Sequence, residues 1–134
     1  MDQGRDAMFS PIWLALVLTI TDGDTFRARI QTLPQQYAEV AVRIRGIDTP
    51  ETSHLAKCEK EKVLGRQAKK ALSVLIENQT VALTALKPDK YGGRYDAIVH
   101  VRQNIDVGGE LLKRGLAATY HGSGPKHDWC GNNH

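Results

Sequence analysis

A single long amphipathic segment, at residues 59–76, constrains the fold of this 134-residue chain more than any other feature. Its apolar residues recur at intervals of three and four positions, which predicts a helix with one buried face. A glycine inside a helix costs about 1 kcal/mol relative to alanine, so Gly65 indicates close packing against a neighbouring segment. The apolar face is formed by Leu64, Ala68, Ala71, Leu72, Leu75 and Ile76.

Short runs of alternating or β-branched apolar residues occupy much of the remaining chain and predict strands. A loop containing Pro34 is predicted at residues 31–37, and a short helix at residues 107–114 is closed by Gly115, a position where glycine commonly ends helices. Five short strands with a long helix after the third indicate an α+β fold whose strands can close into a small barrel. The predicted strands are 13–21, 25–30, 40–45, 81–86 and 95–101, with an extended piece at 116–120.

The length of the chain supports one domain with one modest core. Residues 1–11 are polar, which predicts a flexible N-terminal arm ahead of a single domain at residues 12–134. No run is long enough to span a membrane. The longest apolar run, residues 12–18, follows mixed charges and has no small-residue cleavage site after it, so it is interpreted as the first strand rather than a signal peptide.

The charge of the chain favours a polyanionic partner, but weakly. The net charge is +3 and the isoelectric point is near 9.0, values shared by many small basic proteins that bind nothing anionic. The hydrophobic share of 41% is ordinary for a globular protein. Function must therefore be argued from particular residues.

Carboxylates and guanidinium groups recur in three separate segments. The third predicted strand ends at Gly46, which leaves Asp48 and Glu51 in a loop five and eight residues after Arg43. Two carboxylates beside a guanidinium suit a metal-assisted attack on a phosphate. A surface loop with scattered charge explains this segment equally well by itself, but the segments at residues 22–25 and 89–94 supply the same chemistry again.

These three segments resemble the staphylococcal nuclease (thermonuclease) family. The motifs are Asp-Gly-Asp-Thr at residues 22–25, Arg-x-x-x-x-Asp-Thr-Pro-Glu-Thr at 43–52 and Asp-Lys-Tyr-Gly-Gly-Arg at 89–94, in that order. The likeness extends from about residue 13 to about residue 120. It implies an OB-fold five-stranded β-barrel with two helices, a site on the barrel surface, and truncation of the C-terminal helix that the best-known members carry.

The resemblance also implies an activity and a cofactor. The chain would be a Ca²⁺-dependent phosphodiesterase that hydrolyses DNA and RNA with low sequence specificity, leaving 5′-hydroxyl and 3′-phosphate groups. By this resemblance Asp24 and Asp48 would be carboxylate ligands of Ca²⁺, together with the backbone carbonyl of Thr49. Asp22 would lie just outside and hold the ligands in place.

The resemblance implies roles for further side chains. Glu51 would position or deprotonate the attacking water, and Arg43 and Arg94 would bind the phosphate, because a planar guanidinium can donate to two of its oxygens at once. The side chains implied to bind neighbouring parts of the substrate are Lys90, Tyr91 and Tyr120.

Two residues depart from the family pattern. Gly93 is an additional residue before Arg94, so the guanidinium could be shifted. Asp96 places a negative charge where an apolar residue is usual, and it would either tether Arg94 or face solvent.

Cys58 and Cys130 are compatible with one bridge, two free thiols or metal ligation. His127 and His134 flank Cys130 at spacings that resemble a zinc site, although structural zinc usually needs paired cysteines. A bridge would tether the C-terminal segment in place of the missing helix. It would also favour an oxidising, extracytoplasmic or secreted location.

Two other functions compete with the nuclease. A catalytically inactive OB-fold module would bind nucleic acid or a protein, and a redox or zinc protein would use the C-terminal cysteine and histidines. Inactive relatives generally lose a carboxylate or an arginine, whereas all five catalytic and ligand side chains are present here, which favours the nuclease. The expected partners are DNA and RNA, with no membrane and no obligate protein partner evident.

Overall fold

The computed structural model describes residues 11–131. The arm predicted at residues 1–11 therefore lies, except for Pro11, outside the described residues. Within these residues there are two helices, α1 (Glu59–Ile76) and α2 (Val107–Lys113). The strands are β1 (Trp13–Asp22), β2 (Thr25–Leu33), β3 (Gln36–Ile44), β4 (Ile47–Asp48), β5 (Thr80–Pro88), β6 (Arg94–Val101), β7 (Ile105–Asp106) and β8 (Ala118–Thr119).

The five long strands close into a barrel. The sheet order is β3-β2-β1-β5-β6-β7, and a parallel pairing of β3 with β6 joins the two sides. In that pairing Arg43 lies opposite Asp96 and Ile44 lies opposite Ala97. The predicted α+β class, with an OB-like five-stranded barrel and two helices, is confirmed.

One apolar core fills the barrel and extends to both helices. Phe26 and Leu83 are among its fully buried strand residues. Helix α1 contributes Leu72 and Ile76 from the predicted apolar face, and α2 contributes Leu111. Neither helix of the described chain is long and apolar enough to cross a membrane.

The predicted loop at residues 31–37 is wrong. Strand β2 continues to Leu33 and pairs there with Gln36 of β3, so the connection is a tight turn at Pro34 and Gln35. Gln35 has a φ of +63°, which suits a two-residue hairpin turn. The polar residues of this hairpin are exposed, so their sequence lacks the apolar alternation that marks a half-buried strand.

Cys58 and Cys130 form a disulfide across 72 residues of sequence. Both sulfurs are therefore unavailable as free thiols or zinc ligands, which contradicts those two alternatives for this pair. Cys58 also caps α1, where its sulfur accepts the Glu61 N–H at 3.4 Å. The bridge thus fixes the irregular segment after β8 to the N-terminus of α1.

Gly65 brings the backbone of α1 directly against the loop that follows β4. A Cβ atom added to Gly65 would lie 2.3 Å from the carbonyl oxygen of Glu51 and 3.0 Å from that of Pro50. No side chain can occupy this space without moving backbone atoms. The close packing predicted from the glycine is confirmed, and it positions the loop that carries Glu51.

We expect Gly65→Ala to destabilise the fold by about 1–3 kcal/mol, because the added methyl group overpacks this contact. The matched control is Gly109→Ala in α2, whose Cβ would meet nothing closer than 3.5 Å. That substitution should be neutral or stabilising by up to about 1 kcal/mol, as helix propensity predicts. Urea denaturation measures both, and equal effects would contradict the packing argument.

Candidate functional site

The β1–β2 turn and strand β4 bring three aspartates together. Asp24 and Asp48 are 7% and 3% exposed. The Asp24 carboxylate accepts hydrogen bonds from the Thr25 hydroxyl at 3.0 Å and from the Thr49 N–H at 3.3 Å. Asp22 accepts the Asp24 N–H at 3.1 Å and so holds the turn in place. Two buried carboxylates therefore face each other from segments that lie far apart in the sequence.

Arg43 links these two carboxylates. Its Nη2 lies 3.5 Å from Asp24 Oδ2 and 3.9 Å from Asp48 Oδ1. The same nitrogen donates to the Ile47 carbonyl at 3.1 Å. Arg43 is thus fixed by strand β3 and by the loop after it, with its guanidinium beside the aspartates.

The carboxylates of the site repel one another. Burial, the charge of Asp24 and that of Glu51 raise the pKa of Asp22 from its ordinary value of 3.8 to about 7. Burial, followed by the charge of Asp24, also raises the pKa of Asp48 and that of Glu51. Arg43 balances only part of the negative charge of these carboxylates. An additional positive charge beside them would therefore be favourable.

The donor set suits a hard cation. All of the groups are oxygens, which Ca²⁺ prefers. Burial raises the pKa of Asp22 and that of Asp48, and the charge of Asp24 adds to both shifts, so a bound cation would stabilise their ionised forms. Among residues 11–131, no three His, Cys, Asp or Glu side chains are arranged to hold a metal alone. A cation bound by Asp24 and Asp48 would therefore take its remaining ligands from backbone carbonyls and water.

The glycine-rich turn after β5 directs Arg94 to the same region. Asp89 accepts the Arg94 Nε–H at 3.0 Å and the Tyr91 N–H at 2.8 Å. Gly92 and Gly93 both have positive φ values, +75° and +76°, so the additional glycine is accommodated within the turn. Arg94 and Arg43 line one cavity of about 700 Å³.

The three predicted substrate-binding residues also line this cavity. Tyr91 is exposed, and the Lys90 ammonium lies 5.2 Å from its ring centroid. Tyr120 donates its N–H to the Gly46 carbonyl at 2.9 Å, and the Arg43 guanidinium lies 6.0 Å from its ring. Exposed aromatic rings beside cations are typical of surfaces that bind polyanions with stackable bases.

A family model described as staphylococcal nuclease homologue matches residues 41–129. The chain belongs to the staphylococcal nuclease homologue family. It is 35% identical over 89 residues to a probable endonuclease of Schizosaccharomyces pombe, a match that covers 63% of this chain and 38% of that protein.

Two further relatives are named probable endonuclease lcl3. The one from Aspergillus clavatus is 29% identical over 135 residues, covering 80% of this chain and 45% of that protein. The one from Podospora anserina is 31% identical over 126 residues, and this match covers 78% of this chain and 44% of that protein. The chain therefore spans less than half the length of these curated relatives.

Asp96, a departure from the staphylococcal nuclease pattern, lies beside Asp89. Its Oδ1 is buried and meets no hydrogen-bond partner within the described part of the chain. Burial and the neighbouring Asp89 carboxyl raise the pKa of Asp96, whereas hydrogen bonds, chiefly from the Tyr91 N–H, outweigh burial and lower the pKa of Asp89 to about 2. The tether of Arg94 is therefore Asp89, whose carboxylate contacts the guanidinium directly.

The sequence analysis did not single out Glu61, which is buried in the first turn of α1. Its carboxylate accepts the Glu51 N–H at 3.0 Å and the Lys57 N–H at 2.9 Å. Together with the contact at Gly65, these bonds fix the backbone that carries the Glu51 side chain. Glu61 stands three residues after the N-cap residue Cys58, which is the spacing of the glutamate in a capping box. This spacing is the sequence signal that could have identified Glu61.

We expect Glu61→Ala to cost about 1–3 kcal/mol of stability, because two backbone N–H groups lose their buried acceptor. Amide exchange at Glu51 and Lys57 should accelerate. The control is Glu59→Ala, which removes an exposed carboxylate from the same turn and should cost less than about 1 kcal/mol. Unchanged exchange at Glu51 in the Glu61 variant would contradict the positioning role.

Asp22→Asn should stabilise the metal-free protein at about pH 8, because asparagine keeps an acceptor for the Asp24 N–H and removes a repelled charge. The raised pKa means that the folded protein binds more protons than the unfolded chain between pH 3.8 and about 7. Wild-type stability should therefore fall as pH rises through that window. Urea denaturation with a chelator should show the advantage of the variant disappearing at about pH 4; an advantage independent of pH would refute this account.

Proposed function

We propose that this protein is a Ca²⁺-dependent phosphodiesterase that hydrolyses DNA and RNA with low sequence specificity to 5′-hydroxyl and 3′-phosphate products. The observation that carries the proposal is the contact of Arg43 with two buried aspartates at the edge of a cavity that Arg94 also lines. Membership of the family supports nuclease activity, and so do the relatives named probable endonucleases. Ca²⁺, both nucleic-acid substrates and the products follow from the family resemblance.

The cation would be held by Asp24, Asp48 and the backbone carbonyl of Thr49. Asp22 orients this set through its hydrogen bond to the Asp24 N–H. A bound Ca²⁺ would offset the repulsion of the carboxylates and stabilise the negative charge that develops on the phosphate. The protein's share of this chemistry is to keep the carboxylates buried and close together before the substrate arrives.

Arg43 and Arg94 would bind the non-bridging oxygens of the scissile phosphate. Asp89 engages only the Nε of Arg94, so the two terminal nitrogens remain available to a phosphate. Guanidinium groups that are fixed in advance stabilise a five-coordinate transition state without reorganisation. Strand pairing supplies this fixation, because β3 and β6 are neighbours at these two arginines.

Glu51 would position or deprotonate the attacking water. Burial and nearby carboxylates raise its pKa, which makes its anion a better proton acceptor near neutral pH. Lys90 and Tyr91 would contact a neighbouring phosphate of the nucleic acid. A base would stack on Tyr120, and stacking tolerates every base, which agrees with low sequence specificity.

We further propose that the protein works in an oxidising, extracytoplasmic or secreted setting. The Cys58–Cys130 disulfide supports this location, because such bridges persist mainly outside reducing compartments.

Digestion of plasmid and single-stranded DNA should require Ca²⁺ and stop with EGTA. Glu51→Gln and Arg43→Ala should each lower the rate by about 10²- to 10³-fold, the usual cost of removing one group from a preorganised site. Matched controls are Glu59→Gln and Arg66→Ala, which change exposed residues of α1 and should retain wild-type rates.

A wild-type protein that retards DNA on a gel but does not cut it at any Ca²⁺ concentration would refute the nuclease. The inactive OB-fold binding module would then be the supported alternative.

A further inference from the structure

The segment after β8, residues 121–131, lines part of the cavity through His121, Gly122 and Lys126 and is attached to the rest of the fold near both of its ends. The Lys90 ammonium donates to the Gly122 carbonyl at 2.7 Å, and the Tyr120 hydroxyl donates to the Gly124 carbonyl at 3.3 Å. At the other end Cys130 is bonded to Cys58 of α1. We refer to residues 121–131 as the C-terminal strap.

The strap places Lys126 in a position that matches that of Arg43. Lys126 Nζ lies 3.8 Å from Asp48 Oδ1, and Arg43 Nη2 lies 3.9 Å from the same oxygen. Both cations also approach the ring of Tyr120, at 5.9 Å and 6.0 Å respectively. The two cations lie at nearly equal distances from one carboxylate oxygen and from one aromatic ring, so both border the same part of the cavity.

Lys126 is more accessible to a ligand than Arg43. Its side chain is 52% exposed, compared with 14% for Arg43, and it lines the same cavity. Because the Lys126 side chain is half exposed, water screens its ion pair with Asp48, so Asp48 alone holds the ammonium only weakly. An anionic ligand in the cavity would therefore compete effectively for Lys126.

The location of Lys126 depends on the strap, which has little regular structure of its own. Gly122, Gly124 and Gly131 all have positive φ values, and no helix or strand is assigned in the strap. His127 and Trp129 pack edge to face at 4.4 Å on either side of Asp128. A segment with few internal bonds needs an external attachment to stay ordered, and the disulfide provides one four residues after Lys126.

We propose that Lys126 is a further phosphate-binding cation of this site, beside Arg43, Arg94 and Lys90, and that the Cys58–Cys130 disulfide holds it there. The inference rests on the proposed function, because its ligand is a phosphodiester chain. Lys126 lies on the side of the cavity that the C-terminal strap forms. From there it contacts the same substrate as Arg43 and Arg94. Binding of nucleic acid thereby depends on a covalent link outside the barrel.

The test measures binding of a fluorescent single-stranded oligonucleotide by anisotropy in a Glu51→Gln background with Ca²⁺, so that cleavage does not interfere. Lys126→Ala should weaken binding roughly threefold to tenfold at moderate salt. The slope of log affinity against log salt should become shallower by about 0.7, the contribution of one single-strand phosphate contact. The control Lys113→Ala, in an exposed lysine of α2 outside the cavity, should change neither quantity.

A mutant cycle tests the role of the disulfide. Cys58→Ser with Cys130→Ser removes the bridge while serine still caps α1, and this variant should lose affinity and salt slope as Lys126→Ala does. Adding Lys126→Ala to it should cause no further loss. A full additional loss would show that the bridge does not hold Lys126 and would overturn that part of the proposal.

Other outcomes overturn the role of Lys126 itself. If Lys126→Ala leaves affinity and salt slope unchanged but tightens Ca²⁺ binding by calorimetry, Lys126 is only a counter-ion of Asp48. Unchanged values in all measurements would reject any role in the site. If the Glu51→Gln parent binds no nucleic acid, the proposed function itself fails, and this inference fails with it.

Discussion

The parallel pairing of β3 with β6 is the interaction on which the rest of the structure depends. It closes the barrel around the core, and it also joins two charged segments that are about fifty residues apart in the sequence. Arg43 projects from one strand of this pair, and Arg94 begins the other. Because parallel strands require a long crossover, the intervening chain, with α1 and β5, is free to carry the Glu51 loop to the same end of the barrel.

The site concentrates negative charge where the fold would be more stable without it. Asp24 and Asp48 are buried. Burial, followed by the charge of Asp24, raises the pKa values of Asp22, Asp48 and Glu51. Such an arrangement persists only when the surrounding structure fixes it. The fixing contacts are hydrogen bonds from Thr49 and Thr25, the guanidinium of Arg43, and the backbone contact at Gly65.

Local patterns predicted much of this fold, because helix periodicity and glycine positions act over a few residues. Helix α1 has the predicted bounds, and the close approach at Gly65 was inferred from the position of this glycine within the helical pattern. The β2–β3 hairpin was missed since its exposed tip carries no apolar alternation. Asp89 was not recognised as the tether of Arg94, although its contacts with Tyr91 and Arg94 lie within one turn, because the conformation of that turn does not follow from the spacing of its residues. The position of Lys126 was not foreseen because it depends on the meeting of distant segments, which the disulfide fixes.

The β2–β3 hairpin has a practical consequence for the study of this molecule. Its turn at Pro34 and Gln35 lies at the far end of strands that begin beside the site, where Thr25 pairs with Arg43. Eight residue steps of about 3.3 Å separate the two ends, or about 26 Å. The tip is exposed, so a dye, an affinity tag or a surface linker attached there would report on or immobilise the protein while leaving the cavity open to long polymers.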